Sequence, residues 1–228
     1  MQKLKWLCLA VITTLCLPSL SSAMSADGYI GPGSLSGDGV NRTFRVSRDG
    51  SLVIQEGHGK YQEAALRGNV WSCSNAAGTS VTTQAGLSHT TPMLTLYNPT
   101  GSNKALVLLE VNVTPTAAPA AAAGLMLAYN VATGTAPVHT TAANYMNASM
   151  GIGGTPTAVC DRVATLLAPP VAFRYFGGTT GAAAISGATF TDNIDGKFIM
   201  PPGMAISIQT TSAVVGVGHF VWEEINYP

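Results

Sequence analysis

Charged residues are scarce in this chain of 228 residues. Lys and Arg together number 11, as do Asp and Glu, and the four types make up 10% of the sequence, against about 25% in an average soluble domain. A protein that binds nucleic acid needs a basic surface to displace the counterions of the phosphates, so we expect no nucleic-acid partner. Hydrophobic residues nevertheless reach 46%, which is too many for a disordered chain.

Long apolar runs are lacking as well. The mainly apolar run at residues 6–17 has 12 residues, whereas a helix needs about 20 to span a bilayer, so we expect no membrane anchor. Lys3 and Lys5 precede this run and small residues follow it at 21–23, which is the layout of a secretory signal peptide over residues 1–23. Met24 comes next, and the alternative is that residues 1–23 are a mis-called extension before a start at Met24.

Cysteine is rare beyond that segment, where only Cys73 and Cys160 occur. Two cysteines without a CxxC motif do not form a structural zinc site. In an oxidising compartment these two residues can pair as a disulfide. The alternative is a pair of buried free thiols, because free cysteine behaves as a small hydrophobe.

Short segments with strand patterns recur along the chain, separated by turns rich in Gly, Pro, Asn and Asp. The segments are 64–74, 93–97, 104–113, 124–131, 158–167, 171–176, 197–200, 204–209 and 214–226, with a hairpin at 44–54, a turn at 193–196 and a long loop at 132–157. Many short strands of this kind predict an all-β fold. We expect an antiparallel, jelly-roll-like β-sandwich as a single domain over residues 41–228, preceded by a flexible, extended N-terminal arm at 24–40.

The aromatic residues Trp71, Tyr97 and Trp222 lie on these predicted strands. They are candidates for an aromatic interface between subunits, with sugar stacking and core packing as alternatives. On the last strand, the two-residue period places Phe220, Trp222 and Glu224 on one face.

Catalytic and metal-binding patterns are missing. The four histidines are scattered, and none of their spacings is that of a metal site. Glu223 and Glu224 are adjacent on a predicted strand and therefore point to opposite faces, so they do not form a carboxylate dyad. The acidic turn at 192–196 lacks the register of a calcium loop. We expect no catalytic residue, no metal and no cofactor.

Sparse charge also bears on self-association. Net charge keeps proteins apart, and sheet edges without Lys or Pro invite pairing with another chain. The composition therefore favours a homo-oligomer, for which a trimer is our expectation.

Six segments resemble small structural proteins of tailed bacteriophages. They are RDGSLV at 48–53, GKYQEA at 59–64, RGNVWS at 67–72, LTLYNPTGSNK at 94–104, PGMAI at 202–206 and FVWEEI at 220–225. The resemblance implies a virion protein, a head decoration or accessory protein with a jelly-roll-like sandwich, often homo-oligomeric, that contacts other virion proteins such as the major capsid protein. It implies no catalytic residues.

The leading hypothesis is therefore a non-enzymatic bacteriophage structural protein located in the virion. A signal peptide at 1–23 departs from this hypothesis, because phage particles assemble in the cytoplasm. The alternative is a secreted or periplasmic β-sandwich module that binds carbohydrate or a surface, with a Cys73–Cys160 disulfide. A third hypothesis is a secreted glycan-cleaving enzyme that uses two carboxylates.

Overall fold

The computed structural model describes residues 27–29, 41–43, 59–75, 80–131, 137–138, 143–151, 153–162, 164–181 and 188–227. The chain divides into two units, Met1–Gly57 and His58–Pro228. In the first unit, β1 (Asp27–Tyr29) pairs antiparallel with β2 (Asn41–Thr43). The signal peptide predicted at 1–23, the hairpin predicted at 44–54 and most of the arm predicted at 24–40 lie outside the described residues.

In the second unit, the described residues form one short helix and eleven strands. These elements are α1 (Gln62–Leu66), β3 (Val70–Ser74), β4 (Val81–Thr82), β5 (Leu94–Tyr97), β6 (Lys104–Pro115), β7 (Ala123–Val131), β8 (Asn144–Asn147), β9 (Val159–Asp161), β10 (Val171–Thr179), β11 (Phe190–Met200), β12 (Met204–Thr210) and β13 (Val215–Asn226). None of the described helices is long and apolar enough to cross a membrane.

The strands form two antiparallel sheets that pack face to face. One sheet has five strands in the order β10-β7-β12-β5-β9, and the other has six, in the order β11-β6-β13-β3-β8 with β4 also paired to β13. Buried residues from both sheets form one common core. The all-β, antiparallel sandwich predicted from the sequence is confirmed.

The strand pairs are nested along the chain. β7 pairs with β10, β6 with β11, β5 with β12 and β3 with β13, each antiparallel. The chain therefore runs as one long hairpin that is rolled into two layers. The segment between β7 and β10 adds β8 beside β3 and β9 beside β5, which extends both sheets on the same side of the sandwich.

The core depends on a change in side-chain size along the inner face of β13, from glycine at one end to aromatic rings at the other. Phe220 and Trp222 are completely buried there, and Phe220, Trp222 and Glu224 share that face as predicted. Towards the other end of the strand, this face carries glycine. A Cβ added at Gly218 would lie 2.9 Å from Ile208 Cδ1 and 3.0 Å from Leu94 Cβ, so only glycine leaves room for the facing sheet.

Two predicted segments have a different structure. The strand predicted at 64–74 begins only at Val70, because Gln62–Leu66 forms α1, and its sequence QEAAL consists of strong helix formers. The long loop predicted at 132–157 contains β8, which pairs with β3.

The second half of the chain also differs from the prediction at two places. The strand predicted at 158–167 ends at Asp161. The turn predicted at 193–196 lies inside β11, where the register with β6 shifts between Asn193 and Phe198. Asp195 and Gly196 there take φ angles of 57° and 78°, so a turn conformation is present, but as an irregularity within one strand.

The outer face of the five-stranded sheet is covered over β5 and β12, whereas Tyr129 on β7 and Tyr175 on β10 are exposed. On this face Tyr97, Leu166 and Ala205 form a second buried cluster. The Gln209 side chain is held by the backbone of Ser88, which donates to Oε1 at 3.2 Å and accepts from Nε2 at 3.0 Å. The outer face of the six-stranded sheet is half-exposed by comparison, and the candidate site lies there.

Candidate functional site

The helix α1 is held to the sandwich by contacts with the irregular part of β11. Lys60 Nζ lies 2.6 Å from Asp195 Oδ1, and the Tyr61 hydroxyl donates to the same oxygen at 3.3 Å. The hydrogen bond from Lys60 lowers the pKa of Asp195 and raises the pKa of Lys60. Tyr61, with φ 63°, and Asp195 are both left-handed, a conformation that costs non-glycine residues roughly 1–3 kcal/mol and that clusters at functional sites.

Two depressions flank α1. The first, which we call the helix groove, has a volume of about 660 Å³ and is lined by Gly59, Tyr61, Glu63, Ala64, Arg67, Asn69, Lys104, Glu223, Glu224, Ile225 and Asn226. The second, the bulge pocket, has about 320 Å³ and is lined by Lys60, Tyr61, Gln62, Ala65, Val70, Leu109, Glu110, Ala148, Asn193, Asp195 and Val221. Both lie on the six-stranded side of the sandwich.

The helix groove is polar and carries charges of both signs. Arg67 Nε pairs with Glu63 Oε1 at 3.0 Å, and Lys104 Nζ donates to Asn226 Oδ1 at 2.8 Å. Among the described residues, none donates a hydrogen bond to the carboxylate of Glu223, and partial burial raises its pKa. Of the three carboxylates that line the groove, Glu223 therefore has neither an ion pair nor a hydrogen bond from the described residues.

Four of the six segments for which the sequence analysis gives a phage resemblance converge on this groove. All of its lining residues except Asn226 fall within segments 59–64, 67–72, 94–104 and 220–225. These segments are far apart in the sequence, and α1, the start of β6 and the end of β13 bring them together. Sequence reasoning did not find the groove, because its parts meet through the pairing of β13 with both β6 and β3.

Asn98, in the same resembling segments, has a structural role. Its amide Nδ2 donates to the carbonyl oxygens of Lys104 at 2.8 Å and Met200 at 2.9 Å, and its Oδ1 accepts from Ser102 Oγ at 2.7 Å. The side chain is completely buried. Asn98 thus joins the turn after β5 to the turn between β11 and β12, next to the helix groove.

The two cysteines that the sequence analysis treats as a possible disulfide are paired in the structure. Cys73 on β3 and Cys160 on β9 form a disulfide with their Cα atoms 6.6 Å apart. β3 belongs to the six-stranded sheet and β9 to the five-stranded sheet, so the bond links the two layers. Tyr145 lies beside it, since its hydroxyl accepts from Cys160 N at 2.5 Å and donates to Cys160 O at 3.1 Å.

The predicted aromatic interface is not at the surface. Trp71 is 8% exposed, Tyr97 3% and Trp222 0%. Both tryptophans pack in the core between the sheets, and Tyr97 lies under the loops that cover the five-stranded sheet. This prediction is therefore wrong, because the domain uses these rings for its own packing. Tyr175, at 65%, is an exposed aromatic residue on β10.

The outer strands of the sheets are less open to pairing than the composition suggested. The register of β10 against β7 shifts twice, and that of β11 against β6 shifts once. Such bulges twist an edge away from a partner. Arg174 on β10 also makes a bidentate ion pair with Asp192 on β11, in which Nη2 lies 2.8 Å from Oδ1 and Nε contacts Oδ2.

A polar cluster lies on the outer face of the six-stranded sheet. Asn112 Nδ2 donates to Glu110 Oε1 at 2.6 Å and lies 3.2 Å from His219 Nδ1. Burial lowers the pKa of His219, so the ring is neutral near pH 7. In the part of the chain that the structure describes, no three His, Cys, Asp or Glu residues are grouped to hold a metal ion.

Glu224 differs from its neighbour Glu223 as strand alternation predicts. It is buried, and its carboxylate accepts from the backbone N–H groups of Thr157 at 3.1 Å and Ala158 at 2.9 Å. Trp222 Nε1 donates to it at 3.3 Å. These hydrogen bonds hold the segment before β9 in place, so this carboxylate has a structural role.

The chain matches no protein-family model, no curated protein and no solved structure.

Proposed function

We propose that the chain is a non-enzymatic structural protein of a bacteriophage virion, a head decoration or accessory protein with jelly-roll topology. The nested strand pairing is the observation that carries this proposal. The eight strands of the rolled hairpin are arranged as β11-β6-β13-β3 and β10-β7-β12-β5. Two four-stranded antiparallel sheets formed in this way are the architecture of jelly rolls, which viral capsid proteins and lectins use.

The helix groove supports the same proposal. Four of the six segments that resemble phage structural proteins meet there. The groove has charges of both signs, and the described residues that line it include no group of metal ligands. The Glu224 carboxylate in the groove is engaged in hydrogen bonds within the fold. Such a surface suits contact with another virion protein, such as the major capsid protein, because polar and charged groups set the register of protein contacts.

Fractionation of a phage-producing culture tests the proposal. Particles purified by density and the cleared medium are analysed by mass spectrometry, and this chain is quantified against the major capsid protein. We expect a fixed copy number in the particles and an N-terminal peptide that begins at or just after Met24. Absence from the particles, together with a chain processed after Ala23 in the medium, would overturn the proposal.

A secreted or periplasmic binding module is the second candidate function. The Cys73–Cys160 disulfide favours it, because disulfides persist in oxidising compartments. Sugar stacking would have to use an exposed ring such as Tyr175, since both tryptophans of the sandwich are buried. Binding of neutral oligosaccharides that is lost in Tyr175→Ala and retained in Leu167→Ala, another exposed site, would support this candidate.

A further inference from the structure

The disulfide closes one side of the sandwich. Cys73 and Cys160 are 1% and 0% exposed, and they join β3 to β9. β8 and β9 are strands of four and three residues, and both belong to the segment inserted between β7 and β10. The covalent bond therefore fastens this insertion to the sandwich.

Hydrogen bonds place the insertion without help from the disulfide. The strands β8 and β9 pair with β3 and β5, and the N–H group of Ala148 donates to Val70 O at 2.9 Å. Asn147 Nδ2 donates to Gly68 O at 2.7 Å, and Glu224 holds the segment before β9. A chain with two thiols can therefore reach the same arrangement, which brings the Cα atoms within the usual range for a disulfide.

We propose that Cys73 and Cys160 remain a dithiol while the virion assembles in the host cytoplasm, and that they become a disulfide after release. This inference rests on the proposed virion function. The cytoplasm keeps thiols reduced, whereas disulfides form and persist outside the cell and on virion surfaces. The disulfide then stabilises the insertion in a particle that is already assembled, an effect that we call the lock.

The oxidation is a thiol–disulfide exchange with a low-molecular-weight disulfide in the medium. One cysteine thiolate attacks that disulfide, forms a mixed disulfide and releases one small thiol. The second cysteine thiolate attacks the protein sulfur of the mixed disulfide and releases the second small thiol. The protein dithiol loses two electrons and two protons, and the small disulfide becomes two thiols. Because both cysteines are buried, the short strands β8 and β9 must open locally for the exchange.

Trapping the thiols before and after lysis tests this timing. Infected cells are quenched in acid, and particles from unquenched parallel cultures are isolated in the presence of N-ethylmaleimide. Both samples are alkylated under denaturing conditions. We expect alkylated Cys73 and Cys160 inside cells and a disulfide-linked peptide pair in released particles. A linked pair before lysis, or alkylated cysteines in released particles, would overturn the inference.

The same samples separate this inference from the proposed function. The presence of the chain in particles tests the virion function, and the redox state of its peptides tests the timing. A chain that is in particles but already oxidised in the cell contradicts only the lock. Absence of the chain from particles contradicts the virion function itself. If the two cysteines of that chain are also oxidised before lysis, the proposed timing is contradicted as well.

The full chain with Cys73→Ala and Cys160→Ala provides a second test. We expect this variant to enter intracellular particles within about twofold of the unaltered chain, because the hydrogen bonds of the insertion remain. In released particles the insertion should be cleaved by protease at least about tenfold faster, since local opening is no longer covalently limited. Equal cleavage rates would refute the lock, as would failure of a folded variant to enter particles.

Discussion

Reduction of the Cys73–Cys160 disulfide should lower the stability of the sandwich by a predictable amount. The two residues are separated by 87 positions in the sequence. In the loop-entropy model, a closed loop of this length removes about 15 cal/mol/K from the unfolded chain, or about 4.6 kcal/mol at 25 °C. A domain is typically stable by about 5–15 kcal/mol, so the bond would account for a large part of the total.

Urea unfolding with and without reductant measures this effect. Trp71 and Trp222 are buried, so their fluorescence should shift to longer wavelength when the domain unfolds. We expect a lower midpoint in reductant and a fall in Tm of roughly 9–18 °C, at about 2–4 °C per kcal/mol for a domain of this size. The Cys73→Ala and Cys160→Ala double variant should unfold at the same midpoint in both conditions.

The outcome that contradicts this reasoning is equally specific. A difference below about 1 kcal/mol between the oxidised and reduced chains would mean that loop closure is not the dominant effect of the bond. An intact mass of the native protein without the loss of two hydrogens would mean that Cys73 and Cys160 do not pair. If reductant lowers the unfolding midpoint of the double variant, the effect belongs to another part of the chain.

Three further predictions concern the fold around the site. Gly218→Ala should destabilise by about 1–3 kcal/mol in urea unfolding, because its Cβ would overlap two core side chains, whereas Gly153→Ala, which meets open space, should stay within about 0.5 kcal/mol. Glu224→Gln should cost about 1–3 kcal/mol in thermal unfolding, since its amide would face a backbone donor; an unchanged Tm would refute this role. The lowered pKa of His219 means that the unfolded chain binds more protons, so stability should fall as the pH drops through the ordinary value of 6.5, and His219→Gln should reduce that dependence.

Many of the strands could be predicted from the local alternation of apolar and polar residues. In β12, Met204, Ile206 and Ile208 face the core and alternate with Ser207 and Gln209, and the two-residue period reveals the strand. The same pattern predicts that the polar residues meet solvent, yet Ser207 and Gln209 are buried. Alternation cannot reveal the loops that cover this face, because those loops are distant in sequence and satisfy the buried amide with their own backbone.

The candidate site was less predictable than the strands. α1 spans five residues, which is too short for a helical period to be recognised. Its position depends on Lys60 and Asp195, which are more than 130 residues apart and meet only when β11 pairs with β6. Trp71 and Trp222 were equally ambiguous, since a tryptophan on a strand serves a core or an interface with the same local sequence.

The proposed virion function leads to a prediction for the helix groove, which starts from the distribution of carboxylates. Glu63, Asp192 and Asp195 each pair with a cation of the chain, and Glu224 accepts from backbone N–H groups. Glu223 in the helix groove is half-buried, and no hydrogen bond to it comes from the described residues. A Lys or Arg of a neighbouring virion protein would therefore gain more from Glu223 than from the carboxylates that are already paired.

Replacement of this residue should separate binding from stability. Because burial raises the pKa of Glu223, its charge is unfavourable in the folded chain near pH 7, and Glu223→Gln should leave stability equal or slightly higher. The same variant should bind purified particles that lack the chain roughly tenfold more weakly, which corresponds to about 1.4 kcal/mol. Glu63→Gln, whose partner Arg67 lies within the chain, is the matched control and should bind within about threefold of the unaltered protein. Unchanged binding by Glu223→Gln would mean that the Glu223 carboxylate makes no charge-assisted contact with the particle that contributes to affinity.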